Sequence, residues 1–141
     1  MDTLTLDQAR RVAETALQAA RRESFRPMAI VVLDEAGQLK FVAREDGATP
    51  LRIDIAHGKA AAAFGMGVAT RALHERAIAN PVFFNAIAPA AGGKFIAQTG
   101  AVVIVSASGQ VLGAIGASGG TGDEDEAICI EGLRDAGLAH R

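Results

Sequence analysis

Two pairs of apolar runs, each pair joined by a short glycine-containing turn, constrain the fold of this chain more than any other feature. Met28-Ala29-Ile30-Val31-Val32-Leu33 is rich in β-branched residues and ends at the turn Asp34-Glu35-Ala36-Gly37. Gln38 to Arg44 follows with the alternation of a half-buried strand, so the two runs predict a hairpin. Gly100 to Ser106 and Gln110 to Ala117, joined at Ala107-Ser108-Gly109, predict a second one. Hairpin strands pair antiparallel, and no regular strand-helix-strand alternation accompanies them. The expected class is therefore α+β, an antiparallel sheet with helices packed against it. Lys94 to Ala97 is a candidate for a short fifth strand.

Helix signals fill the remaining segments. Thr5-Leu6-Asp7-Gln8 has the form of a capping box, and Leu6, Ala9, Ala13, Ala16, Leu17 and Ala20 recur behind it at helical spacing. Thr49-Pro50 sets a cap residue before a proline at the first helical position, which predicts a helix from Pro50 to Phe64, interrupted by Gly65-Met66-Gly67. Thr70 is a further cap for a short helix through Ala77, and Pro81 to Ala86 adds a turn. Asp123-Glu124-Asp125-Glu126 opens a last helix, because acids in a first turn complement the positive end of the helix dipole.

Composition narrows the function classes. A length of 141 residues, half of them apolar, with a formal charge of −2, fits one globular domain over residues 1–141. There is no basic excess, and six Phe without Trp or Tyr leave little stacking surface, so nucleic acid is not an expected partner. No apolar run reaches the roughly 18 residues of a membrane span, and His57, Lys59, Arg71 and His74 divide the alanine-rich middle. Cys129 stands alone, and the N-terminus has acids where a leader carries lysines. Both point to the cytoplasm.

Several segments offer chemistry. Gly116-Ala117-Ser118-Gly119-Gly120-Thr121-Gly122 before a helix start has the look of a phosphate cradle, but four consecutive acids follow it. It lacks the Lys-Ser/Thr ending of a P-loop, so a close-packed strand-to-helix turn is the favoured reading. Arg44-Glu45-Asp46-Gly47-Ala48 ends the first hairpin with three charges, a place from which side chains reach a groove. Lys59 lies among small residues in Ala56-His57-Gly58-Lys59-Ala60, and a buried lysine needs a partner such as Asp46 or Asp54. Snorkelling to the helix rim is the alternative. His57 and His74 belong to no metal-ligand spacing, and no metal site is expected. Either one could ligate haem iron through a single nitrogen, as could Met28 or Met66.

Taken in order, Val32 to Gly37, Arg44 to Ala48, Ile55 to Ala60, Gly92-Gly93 and Gly113 to Gly120, closed by Asp125-Glu126, resemble the GlcG/HbpS family, which includes the haem-binding C-terminal domain of PduO. The resemblance covers nearly the whole chain. It implies a five-stranded antiparallel sheet flanked by helices, in the order α-β-β-α-α-β-β-β-α. It also implies homo-oligomers built from dimers, often octamers, with haem bound in some members and small organic acids or aromatics the context of others. The resemblance makes Arg44, Asp46, Lys59, Gly92, Gly93, Ser118 and Gly119 the matching positions of a ligand groove; Lys59 and, from the residues alone, His57 are the candidate catalytic groups. The N-terminal helix lacks the histidine that some relatives use for haem.

Two functions follow as expectations. The first is a binding protein for haem or another tetrapyrrole. The second is an enzyme of organic-acid or aromatic catabolism, an isomerase, hydratase or hydrolase in which Arg44 clamps a carboxylate and Lys59 or His57 moves a proton. In that scheme Asp46 holds Lys59, and the amides of the Gly92-Gly93 and Ser118-Gly119 segments face a developing oxyanion. A structural oligomer without a ligand is the third possibility.

Overall fold

The computed structural model describes residues 2–141. The elements are α1 (Leu6–Arg22), β1 (Ala29–Leu33), β2 (Leu39–Arg44), α2 (Leu51–Met66), α3 (Thr70–Ala79), α4 (Pro81–Ala90), β3 (Ala101–Val105), β4 (Val111–Ser118), α5 (Gly122–Asp135) and β5 (Ala139–His140). The strands form one antiparallel sheet in the order β2-β1-β4-β3-β5. The predicted α+β class with a five-stranded antiparallel sheet is thus observed.

The fifth strand is not Lys94 to Ala97. That segment runs outside the sheet along α2, where the Ile96 amide donates to the Gly58 carbonyl. The edge beside β3 is instead taken by Ala139–His140 at the C-terminal end, where Arg141 and Val103 exchange backbone hydrogen bonds. A two-residue strand carries almost no sequence pattern, so it leaves no trace for periodicity to find.

Both faces of the sheet are covered, which explains why β1 and β3 read as continuous apolar runs. Successive side chains of β1 alternate between two cores. Ile30 and Val32 point to the side covered by α1 and α5, with Val12, Ala16, Ile115, Ile128 and Leu133. Ala29, Val31 and Leu33 point to the other side, against Ala56, Ala60 and Ala63 of α2. The alanines of α2 are a packing device, since they let the helix lie close to the sheet. At Gly116 of β4 an added Cβ would sit 2.6 Å from the Ala56 carbonyl oxygen and 3.2 Å from the Ala60 Cβ.

The helix ends follow the capping chemistry in two cases and depart from it in two. Thr5 with Gln8, and Thr121 with Glu124, form complete capping boxes. Thr49 gives α2 no side-chain cap, and the helix continues through Gly65 and Met66 to stop at Gly67, whose φ of 74° is left-handed. Thr70 is the first residue of α3 rather than its cap. Its buried hydroxyl donates to the Ala101 carbonyl and accepts from the Ala101 amide, fastening α3 to the start of β3.

Candidate functional site

Lys59 and Asp125 form a buried ion pair between α2 and α5, with residue exposures of 5% and 1%. Lys59 Nζ donates to Asp125 Oδ2 at 2.9 Å and to the Ala117 carbonyl at 3.1 Å. The other carboxylate oxygen of Asp125 accepts from the Gly120 amide at 2.9 Å. Burial pushes the Asp125 carboxyl above its ordinary range, while the charge and hydrogen bond of Lys59 and the Gly120 amide pull it back. The partner of Lys59 is therefore neither Asp46 nor Asp54. Of the four acids that open α5, the third turns inward and locks the helix to the glycine loop.

The remaining predicted residues lie in separate places. Arg44 and Asp46 line a cavity of about 400 Å³ together with Arg21, Pro27 and Glu45. Arg21 pairs with Glu45 at 3.0 Å, Glu45 also accepts from the Met28 amide, and Arg44 donates to the Ala48 carbonyl. Two cations and two acids balance there. Ser118 is fully buried, and its hydroxyl oxygen accepts from Arg52 at 3.2 Å. Gly119 lines a smaller adjoining cavity with Arg26 and Arg52.

His57 faces a different cavity of about 440 Å³, with Gly37, Gln38, Leu39 and Lys94. Burial lowers its basicity, and the nearby Lys94 charge lowers it further against the opposing pull of Asp54. Gly92 and Gly93 form the turn that ends α4, with φ values of 70° and 85°. Their amides donate to the Pro89 and Ala88 carbonyls, which satisfies the end of that helix. Arg44 with Asp46, His57, Lys59 and the Gly92-Gly93 turn thus do not share one cavity.

A groove that sequence reasoning did not assemble lies between α3, α4 and residues 95–98. It has a volume of about 380 Å³, and its lining includes His74, Ile78, Phe84, Ala88, Phe95 and Ile96. Phe84 stacks at a tilt on Phe95 with centroids 6.3 Å apart, and edge to face with Phe83 at 5.5 Å. The half-buried His74 places Nδ1 3.1 Å from the Ala97 carbonyl oxygen. A carbonyl only accepts, so Nδ1 carries a proton, and in the neutral imidazole Nε2 is the nitrogen with the lone pair. The signal in the sequence was the clustering of three of the six Phe at positions 83, 84 and 95, close after a lone histidine.

The other possible iron ligands are placed differently. Met28 is fully buried under Gly119 and Gly120, and Met66 lies at the exposed end of α2. Cys129 is buried in the α1/α5 core, where desolvation pushes its thiol far up and leaves it inert. Among the described residues no helix is long and apolar enough to cross a membrane.

Comparison with known proteins agrees with this architecture. The crystal structure of HbpS is 27% identical and superposes with a TM-score of 0.83, covering 96% of this chain and 91% of that one. A double mutant of HbpS from Streptomyces reticuli is 28% identical, with a TM-score of 0.83 over 96% and 88% of the two chains. The PduOC structure, solved as a haem complex, shares the fold at 20% identity, with a TM-score of 0.87 over 98% of both chains. No curated protein matches the chain. A family model described as haem degrading protein HbpS-like matches residues 4–134, and the chain therefore belongs to the HbpS-like family.

Proposed function

We propose that this protein binds haem or another metallated tetrapyrrole in the groove between α3 and α4, with His74 as the metal ligand. The observation that carries this reading is the hydrogen bond of His74 Nδ1 to the Ala97 carbonyl. It fixes the ring and its tautomer and leaves Nε2 as the free donor nitrogen, the arrangement expected of a metal-ligating imidazole. Phe84, Phe95 and Ile96 supply the apolar and aromatic walls that a flat macrocycle requires. The family description names haem, and PduOC was solved with it, which supports the same ligand class here. When bound, haem supplies an iron that accepts the imidazole nitrogen; this chain positions it and shields one face from water.

The groove is open on the side of α4, none of whose residues is buried. Val82 is 81% and Phe83 52% exposed, and Ile78 of α3 is 70% exposed. Such a surface is covered by a second copy in the assembly we propose, a homo-oligomer built from dimers and able to extend to an octamer. Haemin titration of the wild type against His74→Ala, followed in the Soret region, tests the binding reading.

A second reading, an enzyme acting on a small organic or aromatic acid, is favoured by His57. Its depressed basicity keeps the imidazole neutral near pH 7, as a general base requires, and Lys94 beside it offers a cation for a carboxylate. In this reading His57 moves the proton, while Lys59 acts from inside through its bond to Asp125 and Arg44 and Asp46 lie on a separate cavity. Turnover of an acid panel that is abolished by His57→Gln would establish it.

A further inference from the structure

The small cavity beside Gly119 carries a charge imbalance that the adjoining Arg44 cavity does not. It has a volume of about 150 Å³ and is lined by Arg26, Pro27, Gly47, Ala48, Thr49, Arg52 and Gly119. Two arginines line it and no acid does. Among the described residues, neither Arg26 nor Arg52 has a carboxylate within ion-pair distance; Arg44 of the adjoining cavity has none either, but there Glu45 and Asp46 stand in the same lining. In a chain of net charge −2, this pair of unmatched guanidiniums is not part of a general basic surface.

Arg52 is held in place. It is half-buried, and it donates to the hydroxyl of Ser118, which is fully buried at the end of β4 and set in register opposite Ala29. Asp125, whose carboxyl feels the Arg52 charge, is already bonded to Lys59 and to the Gly120 amide. On the other side, Arg44 donates to the Ala48 carbonyl and so steadies the segment whose residues Gly47, Ala48 and Thr49 line the cavity. A carboxylate or phosphate meeting two arginine side chains would find the donors that such groups bind best. The volume suits a small acid and lies below the roughly 300 Å³ at which pockets for larger ligands begin.

We infer that this cavity is a binding site for the carboxylate or phosphate group of a small molecule, with Arg26 and Arg52 as its ligands and Ser118 as the residue that positions Arg52. The site shares no lining residue with the His74 groove and stands independently of tetrapyrrole binding.

The test uses the whole chain at constant ionic strength, with oxalate, lactate and inorganic phosphate as probes and sodium chloride as control, by thermal shift and calorimetric titration. A ligand of the folded state must raise Tm in a saturable way. At least one probe is expected to do so in the wild type and in His74→Ala. Arg26→Gln, at an exposed position, is expected to weaken binding by about tenfold or more, and Arg26→Lys by less, because lysine keeps the charge without the fork. Arg52→Gln adds a second measure where circular dichroism shows it folded; Arg26→Gln decides alone where it does not. Binding of phosphate only assigns a phosphoryl ligand, and binding of oxalate or lactate assigns a carboxylate. No saturable shift with any probe, or equal affinity in Arg26→Gln, overturns the inference.

Discussion

Lys59 Nζ lies 2.9 Å from Asp125 Oδ2 inside the protein, joining the middle of α2 to the first turn of α5. The pair also gathers the Ala117 carbonyl and the Gly120 amide, so it holds the end of β4 and the glycine loop in one arrangement. Removal of one partner leaves the other charge buried and uncompensated, which costs about 3–5 kcal/mol. Lys59→Met and Asp125→Asn should each destabilise the protein by that order. The double variant should lose less than the sum, because neither buried charge remains. Urea unfolding of the four proteins measures the coupling, and additive losses would show that the pair does not act as a unit.

Gly116 is where α2 meets the sheet backbone. An added methyl would press on the Ala56 carbonyl and the Ala60 amide, which belong to a helix and move only as a body. Gly116→Ala should therefore cost about 1–3 kcal/mol through overpacking. An unchanged denaturation midpoint would mean that α2 shifts freely, contrary to its continuous contact with β1, β3 and β4.

The folded state lowers the basicity of His57 below its ordinary value of 6.5, chiefly by burial. Above that value the imidazole is neutral in both folded and unfolded chains and contributes nothing to the pH dependence. As pH falls below it, the unfolded chain takes up a proton that the folded chain resists, so stability is lost until the depressed folded value is reached. The Tm of the wild type should thus fall more steeply than that of His57→Gln below about pH 6.5. Parallel profiles would show that His57 is not desolvated in solution.

Much of this fold was legible in the sequence because its signals are local. The Thr5/Gln8 box, the β-branched runs of β1 and β3 and the glycine turns between strands each need only a few neighbouring residues. The order of those segments, set beside a known family, gave the sheet and its helices. The site was less legible because its decisive contacts are distant in sequence. Lys59 meets Asp125 across 66 positions, and the four acids that open α5 look alike until the packing turns one inward. His74 and Phe95 likewise come together only because α4 and the Gly92-Gly93 turn bring the chain back across α3. Thr70 has the sequence signature of a cap, yet its hydroxyl bonds Ala101, 31 residues away.

In the proposed complex His74, held by Ala97, offers its free nitrogen to a tetrapyrrole metal in the groove of Phe84 and Phe95. The most direct measurement is titration of the protein with haemin, read as the position and intensity of the Soret band, in wild type and His74→Ala. A saturable Soret shift in the wild type at low micromolar haemin that is lost or moved in His74→Ala, with His57→Ala, Met28→Leu and Met66→Leu unaffected, is the result predicted. No shift in the wild type, or an identical spectrum and affinity in His74→Ala, would contradict it.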